Sequence, residues 1–471
     1  MPHAQPKLDF IPPAFNPLVL QLVHWSLPLI RRFRWQRWLP AKISQIDTVN
    51  VETLVELYHQ FQTGKIRLLL AFRHCEVDDP LCGLHLFSQA IPRAARQQGI
   101  DLRLPIHSHF MYDRGMTIWI GDWLGWLFAR LGGVPIHRGK SLDWLALKTT
   151  RNLLIDGKFP LSVAPEGATN GHSELVSPLA SGVAQLGFWC VEDLLKANRT
   201  EETIVVPIGI QYRYVQPNWG KLDRLLSKLE RDCGLPHHRV EPSGADRSLP
   251  QVYLDRLLGL GEYFLSAMTQ FYQQFYHQQL PASNLDRASP ELNFTTRLQN
   301  LLDLALGVSE AYFGLKPQGH NLIERCRRLE EAGWTYIYHH DQAAFTALSA
   351  VERGLADWIA QEAGLRMLHM RLVESFVAVT GNYVESQLSF ERLAETTLIL
   401  FDAIARIKNQ NRKIPRRPSL GWRQARVTIG TPISVTNRWS MYADNRAAAK
   451  QAVADLTQDL HRVLAEMASK L

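Results

Sequence analysis

KIRLLLAFRHCEVDDP, Lys65–Pro80, joins an apolar run to a short segment dense in ionisable side chains. The leucine-rich half lacks helical spacing and reads as a strand buried on both faces, the kind found in parallel sheets. Parallel strands need a crossover connection, so helices are expected between this strand and its neighbours. The ionisable half then falls just past the carboxyl end of a strand, where open α/β sheets bind their ligands. Asp79 before Pro80 marks a helix start, with the carboxylate expected at N-cap and the proline at N1.

The segments that follow repeat the pattern. DLRLPIHSHF, GGVPIH, FPLSVA and TIVVPIGIQY read as further strands. Helices are expected near Leu81–Gln97, Trp123–Leu131, Leu142–Asp156 and Gly182–Ala197. After Gln216 nearly every segment has helical periodicity until about Lys408. Strand character returns in RVTIGTPISV, Arg426–Val435, ahead of a closing helix. The expected fold is α/β: a mostly parallel central sheet flanked by helices, with a large all-helical insertion before the last strand. The expected division is residues 1–40 as a membrane-associating segment, 41–215 as the α/β domain, 216–420 as the insertion, and 421–471 completing the α/β domain.

A chain of 471 residues with 46% hydrophobic content has ample material for more than one core. The formal charge of +7 favours an anionic partner: a membrane surface, a phosphorylated substrate or an acidic carrier protein. No zinc-finger spacing, basic zipper or RNA-binding signature is present, so nucleic acid is not an expected partner. The 5 cysteines are scattered without a CxxC pair, which fits free thiols in a reducing compartment. Near the start, PLVLQLVHWSLPLI (Pro17–Ile30) is apolar but interrupted, and RRFRWQRW follows at once. Arginine and tryptophan beside apolar residues suit a lipid interface, so a peripheral or monotopic position on the cytoplasmic face of a membrane is expected; a helix packed on the domain with solvated arginines is the plainer alternative.

Four clusters could carry chemistry. His74 with Asp79 could form a pair in which the carboxylate fixes the imidazole tautomer and the free nitrogen acts as general base. A metal reading of His74 with Asp78 or Asp79 lacks HExxH or similar spacing. GGVPIHRGKS, Gly132–Ser141, has five residues between Gly133 and Gly139 where a Walker loop requires four, which leaves a strand ending in Arg138. Pro165-Glu166-Gly167 is a tight turn after a strand. Pro207 lies inside a strong strand, which implies a bulge or a sheet edge. No GxSxG elbow occurs; GHSEL and GVSEA lack the final glycine. His339–Asp341 and His237–His238 read as surface polar residues, and the basic run Asn411–Arg426 as a loop that could meet head groups or an acidic carrier.

In this order the four clusters resemble the glycerolipid acyltransferase family typified by 1-acylglycerol-3-phosphate acyltransferases. Its histidine followed after four residues by aspartate selects His74 and Asp79. The resemblance covers roughly Ile66 to Tyr214. It implies transfer of a fatty acyl group from acyl carrier protein or acyl-CoA to a lysolipid or glycerol-derived hydroxyl, with no cofactor and no metal. His74 and Asp79 would be catalytic, and Arg138, Glu166, Gly167 and Pro207 would hold the acceptor. Two positions depart from the family pattern. Arg73 stands where asparagine is usual, and Ala168-Thr169-Asn170 replaces Thr-Arg-Ser; Arg73 is expected to restore the missing positive charge toward the acceptor. A lipid-binding protein of the same fold and an acyl-thioester hydrolase are the alternative readings.

Overall fold

The computed structural model describes residues 3–6, 8–33, 42–137, 143–236, 248–278, 290–316, 322–339, 341–376, 382–385, 387–409 and 417–469. The chain divides into two compact units. One is an α/β unit of Asp9–His137, Leu142–Val215 and Trp422–Leu471; the other comprises Met1–Leu8, Arg138–Ser141 and Gln216–Gly421.

The α/β unit is built on an 8-stranded sheet. Its strands are β1 (Ile43–Val49), β2 (Ile66–Phe72), β3 (His109–Asp113), β4 (Gly133–Ile136), β5 (Leu161–Val163), β6 (Glu202–Tyr214), β7 (Arg423–Ile429) and β8 (Ile433–Ser434). They lie in the order β1-β7-β6-β2-β5-β3-β4, with β8 beside β6. All neighbours are parallel except β6 with β7 and β6 with β8. The sheet is therefore mixed but mostly parallel.

Helices α1 (Pro17–Arg32), α2 (Val51–Gln62), α3 (Asp79–His85), α4 (Ile91–Gln98), α5 (Met116–Ile120), α6 (Asp122–Arg130), α7 (Trp144–Asp156) and α8 (Gly182–Lys196) connect or flank the strands, and a closing helix runs Arg446–Ser469. A π-turn, Leu86–Ala90, joins α3 to α4. The apolar run of β2 serves two cores, because successive side chains point to opposite faces. Leu68 and Leu70 pack with α2 residues Leu54 and Tyr58 on one face. Leu69 and Ala71 pack with Val183 of α8 and Leu456 of the closing helix on the other. Each buried leucine of β2 contributes about 1.5–3 kcal/mol, so β2 anchors whatever follows it.

Three local expectations need correction. The strand foreseen at DLRLPIHSHF begins only at His109; Pro105 within that stretch has no N–H for a ladder. RVTIGTPISV is two strands, β7 and β8, rather than one. Pro207 sits in a central strand, not at an edge or bulge. Its antiparallel partner changes there, from Ile433 opposite Val205 to Ile429 opposite Ile208. The Pro207 carbonyl accepts from Gly430 N at 2.9 Å, so the missing N–H faces the break between β7 and β8 and no ladder bond is lost.

The described residues of the other unit are mostly helical, with long helices Leu249–Tyr276 and Ala350–Phe376 among its elements. Buried ion pairs link helices of this unit: Arg256 of Leu249–Tyr276 reaches Glu230 at 2.7 Å and Asp223 at 2.6 Å on Trp219–Asp232, and Arg325 of Leu322–Ile337 reaches Glu310 at 2.8 Å on Pro290–Tyr312. Its only strand-like pairing among the described residues joins Gln5–Pro6 to Tyr338–His339. Among the described residues before β1, residues 3–6 and 8 cluster with the helical unit and α1 clusters with the α/β unit.

Candidate active site

The carboxyl ends of β2 and β5 lie side by side, with Ala71 opposite Val163. That adjacency brings two distant sequence clusters together. The His74 N–H donates to Glu166 Oε1 at 2.9 Å. Strand β6 flanks β2 on its other side and runs past it, with Phe72 opposite Ile208. The residues of β6 beyond Ile208 therefore stand behind the loop that carries His74.

His74 Nδ1 lies 3.0 Å from Asp79 Oδ2. The Asp79 carboxylate is 5% exposed and accepts three further contacts: Tyr212 OH to Oδ1 at 2.8 Å, Glu76 N to Oδ2 at 3.0 Å, and the Cys75 thiol to Oδ1 at 3.8 Å. Burial, then the nearby Asp79 charge, pushes the Tyr212 phenol well above its ordinary pKa, so it stays protonated and donates. The Cys75 thiol is raised for the same two reasons and is inert as a nucleophile. A carboxylate only accepts, so His74 Nδ1 is the donor in this contact, and in the neutral imidazole Nε2 presents its lone pair. His74 is 29% exposed at its side chain, and Nε2 has no partner among the described residues.

Asp79 opens α3, but its carboxylate does not cap the helix. It turns back to the Glu76 N–H, and Asp78 occupies the N-cap position without a side-chain cap bond. Capping and orienting His74 are therefore not shared by one carboxylate, contrary to expectation. Asp78 is fully buried and ion-paired with Arg423, which stacks over the Tyr212 ring at 4.7 Å. Burial disfavours the Arg423 charge, but Asp78 and Glu76 outweigh it and hold its pKa above the ordinary value. One strand residue from the chain's far end thus secures both the turn carrying Asp79 and the tyrosine that steadies it.

The expected acceptor-binding residues are placed as follows. Arg73 is 1% exposed. Its guanidinium donates to the carbonyls of His172 and Leu175 at 2.8 Å each, to Ile210 at 3.3 Å, and to Ser173. It holds the loop after Glu166 rather than facing a ligand, which corrects the expectation of a charge directed at the acceptor. Glu166, also 1% exposed, spends Oε1 on His74 N and Oε2 on Ser177 N at 3.0 Å and Asn170 Nδ2 at 3.2 Å. It positions the histidine instead of meeting solvent. Gly167 has φ +74°, in the region that favours glycine, and closes the turn through its N–H to Ala164 O at 3.2 Å. Pro207 is in the sheet as described above. Arg138 lies outside the described residues.

Tyr212, Arg423 and Asn170 were not foreseen. Asn170 falls in the stretch that departs from the family pattern, and its Nδ2 also donates to Leu175 O at 2.6 Å and Ser177 Oγ at 3.1 Å. For Tyr212 a signal existed: it follows Ile208 and Ile210 on one face of β6, and a buried tyrosine needs a partner for its hydroxyl. Among the described residues no group of three or more His, Cys, Asp or Glu side chains is placed to hold a metal ion.

No family model matches the chain, and no curated protein matches it. The chemical reading rests on the geometry. A neutral imidazole, fixed through Nδ1 by a buried carboxylate and open at Nε2, is a general base for a hydroxyl or water brought to it.

Proposed function

We propose that this chain is an O-acyltransferase that moves a fatty acyl group from an acyl thioester, on acyl carrier protein or coenzyme A, to a hydroxyl of a lysophosphatidate-like or other glycerolipid acceptor. The observation that carries the reading is the 3.0 Å contact of His74 Nδ1 with Asp79 at the carboxyl end of β2, with no partner at Nε2 among the described residues. In the reaction, Nε2 takes the proton of the acceptor hydroxyl as its oxygen attacks the thioester carbonyl. The tetrahedral intermediate collapses by breaking the C–S bond, and His74 returns the proton to the leaving thiolate. The new C–O bond makes the ester, and no acyl group passes through the protein.

The acceptor meets the site at a lipid surface. Leu18, Leu22, Trp25 and Leu29 of α1, together with Phe33, are each more than 60% exposed and share one side of the helix, opposite buried Leu20 and Leu27. Arg31 and Arg32 end the same helix. No helix among the described residues is long and apolar enough to cross a membrane. An exposed apolar stripe with terminal arginines supports a peripheral position on an anionic leaflet, the cytoplasmic face in this reading.

Incubating the purified protein with an acyl thioester, with and without lysolipid, tests the proposal. Thiol release that depends on the acceptor supports transfer. Release without acceptor would make the protein a thioester hydrolase, and no release would leave a lipid-binding protein; either outcome overturns the proposal.

A further inference from the structure

Beside α1 lies an open cleft of about 340 Å³, at the lower end of the range for ligand sites. Its walls come from four places: Leu20 and His24 of α1, Phe87 and Ser88 of the π-turn, Pro92 of α4, and the Leu104–Ile106 loop. None of its lining residues belongs to the His74–Asp79 pair. The lining holds no carboxylate, lysine or arginine, and burial lowers the His24 pKa below its ordinary value, so the walls are uncharged at neutral pH. Leu104, 77% exposed, stands among these lining residues.

Charge lies next to the apolar walls in the chain. Arg93 follows the lining residue Pro92, Arg96 is one helical turn further along α4, and Arg103 precedes Leu104. All three are exposed, and none forms an ion pair among the described residues. Exposed arginines that adjoin the lining residues along the chain, with an uncharged and mainly apolar cleft, suit one class of ligand, an anionic head on a single chain. The irregular turn is part of the fit. A π-turn widens the helix locally and is frequent at functional positions, and here it sets Phe87 and Ser88 in the wall.

We propose that this cleft binds one hydrocarbon chain of an anionic single-chain amphiphile, a fatty acid anion or a lysophospholipid, with the acidic group toward Arg93, Arg96 and Arg103. The site does not require the acyl-transfer reading. The chain could arrive from the surface on which α1's exposed stripe rests, since one helix supplies both the stripe and a cleft wall.

The test titrates the full-length protein with a conjugated-tetraene fatty acid, whose emission rises in an apolar site. Saturable binding at one site per chain is expected, with the methyl ester at least tenfold weaker. Lysophosphatidate should displace the probe, and inorganic phosphate should not. Ser88→Phe enlarges a wall residue and removes no hydrogen bond, because the buried Ser88 Oγ has no partner among the described residues; in a folded protein it should weaken binding at least tenfold, with some loss of melting temperature from the added bulk. Arg93→Glu with Arg103→Glu, both exposed, should weaken the acid at least tenfold and leave the ester unchanged. His74→Ala should bind as the wild type, since no lining residue of the cleft belongs to the His74–Asp79 pair. Absence of saturable binding, equal affinity for acid and ester, displacement by phosphate alone, or a folded Ser88→Phe protein that binds as tightly as wild type would each overturn the proposal. Should Ser88→Phe not fold, the arginine variant decides.

Discussion

Asp79→Asn separates two roles of the carboxylate, charge and orientation, because the structure dictates how the amide must sit. Oδ2 accepts both the Glu76 N–H at 3.0 Å and His74 Nδ1 at 3.0 Å. An amide nitrogen there would face a backbone N–H, so the asparagine oxygen takes that place. The NH₂ group then takes the Oδ1 position, 2.8 Å from the Tyr212 oxygen. The phenol can accept that bond and turn its own proton toward Cys82 Sγ, 3.4 Å away. The Cys75 thiol gives up its 3.8 Å contact with Oδ1 and keeps the Ile210 carbonyl at 3.6 Å, the His74 tautomer is preserved, and the main change is the loss of the negative charge. The imidazolium formed when His74 takes a proton then lacks its counter-charge. Unit charges about 4 Å apart attract by about 1 kcal/mol in water and about 4 kcal/mol at the effective dielectric of a protein surface. His74 is partly exposed, so the loss falls between these limits. That corresponds to a fall in kcat of about fivefold to about 10³-fold, with melting unchanged. The assay is thiol release from an acyl thioester at saturating lysolipid. Full activity would show that the charge does nothing, and a loss as complete as that of His74→Ala would show that the tautomer is not held as described.

Other substitutions separate positioning from substrate contact. Glu166→Gln sets an amide against the donors from His74 N and Ser177 N; it should cost about 1.5–3 kcal/mol of stability and lower kcat with little change in KM, whereas a direct acceptor contact would raise KM. Arg73→Ala should reduce activity equally on phosphorylated and unphosphorylated acceptors, because the guanidinium is spent on carbonyls; a selective loss on the phosphorylated acceptor would contradict its inward placement. In the helical unit, His369 lies between Tyr272 at 2.6 Å and Tyr276 at 3.0 Å, and burial lowers its pKa to about 4. The unfolded chain binds a proton there near pH 6.5 while the folded one does not. Stability is therefore full above that pH and falls by about 3 kcal/mol as pH drops toward 4. His369→Phe should flatten this part of the urea-unfolding profile, and an unchanged slope would refute the assignment.

The pair His74–Asp79 was legible in the sequence because it is local: five positions on one loop, between a strand and a proline-marked helix. The inward turn of Glu166 was not, since it depends on β2 and β5 being neighbours, which no short stretch encodes. Arg73 misled for the same reason. An arginine at a strand end suggests a ligand until the carbonyls of His172, Ser173 and Leu175 are placed around it. Strand β1 was missed because Ser44, Gln45 and Asp47 break its apolar run, and its partner β7 lies at the other end of the chain. Helix α2 carried a readable signal in Val51, Leu54, Val55 and Tyr58, all buried at helical spacing. The apolar start of α1 suited both a packed helix and a lipid-facing one, and the structure gives it a buried side and an exposed side.

The most direct test of the central claim is acceptor-dependent thiol release by His74→Ala measured beside the wild-type protein. Among the described residues the imidazole makes one hydrogen bond, with Asp79, so its removal should leave the melting temperature within a few degrees while abolishing transfer. A folded His74→Ala protein that transfers acyl groups at the wild-type rate would contradict the account.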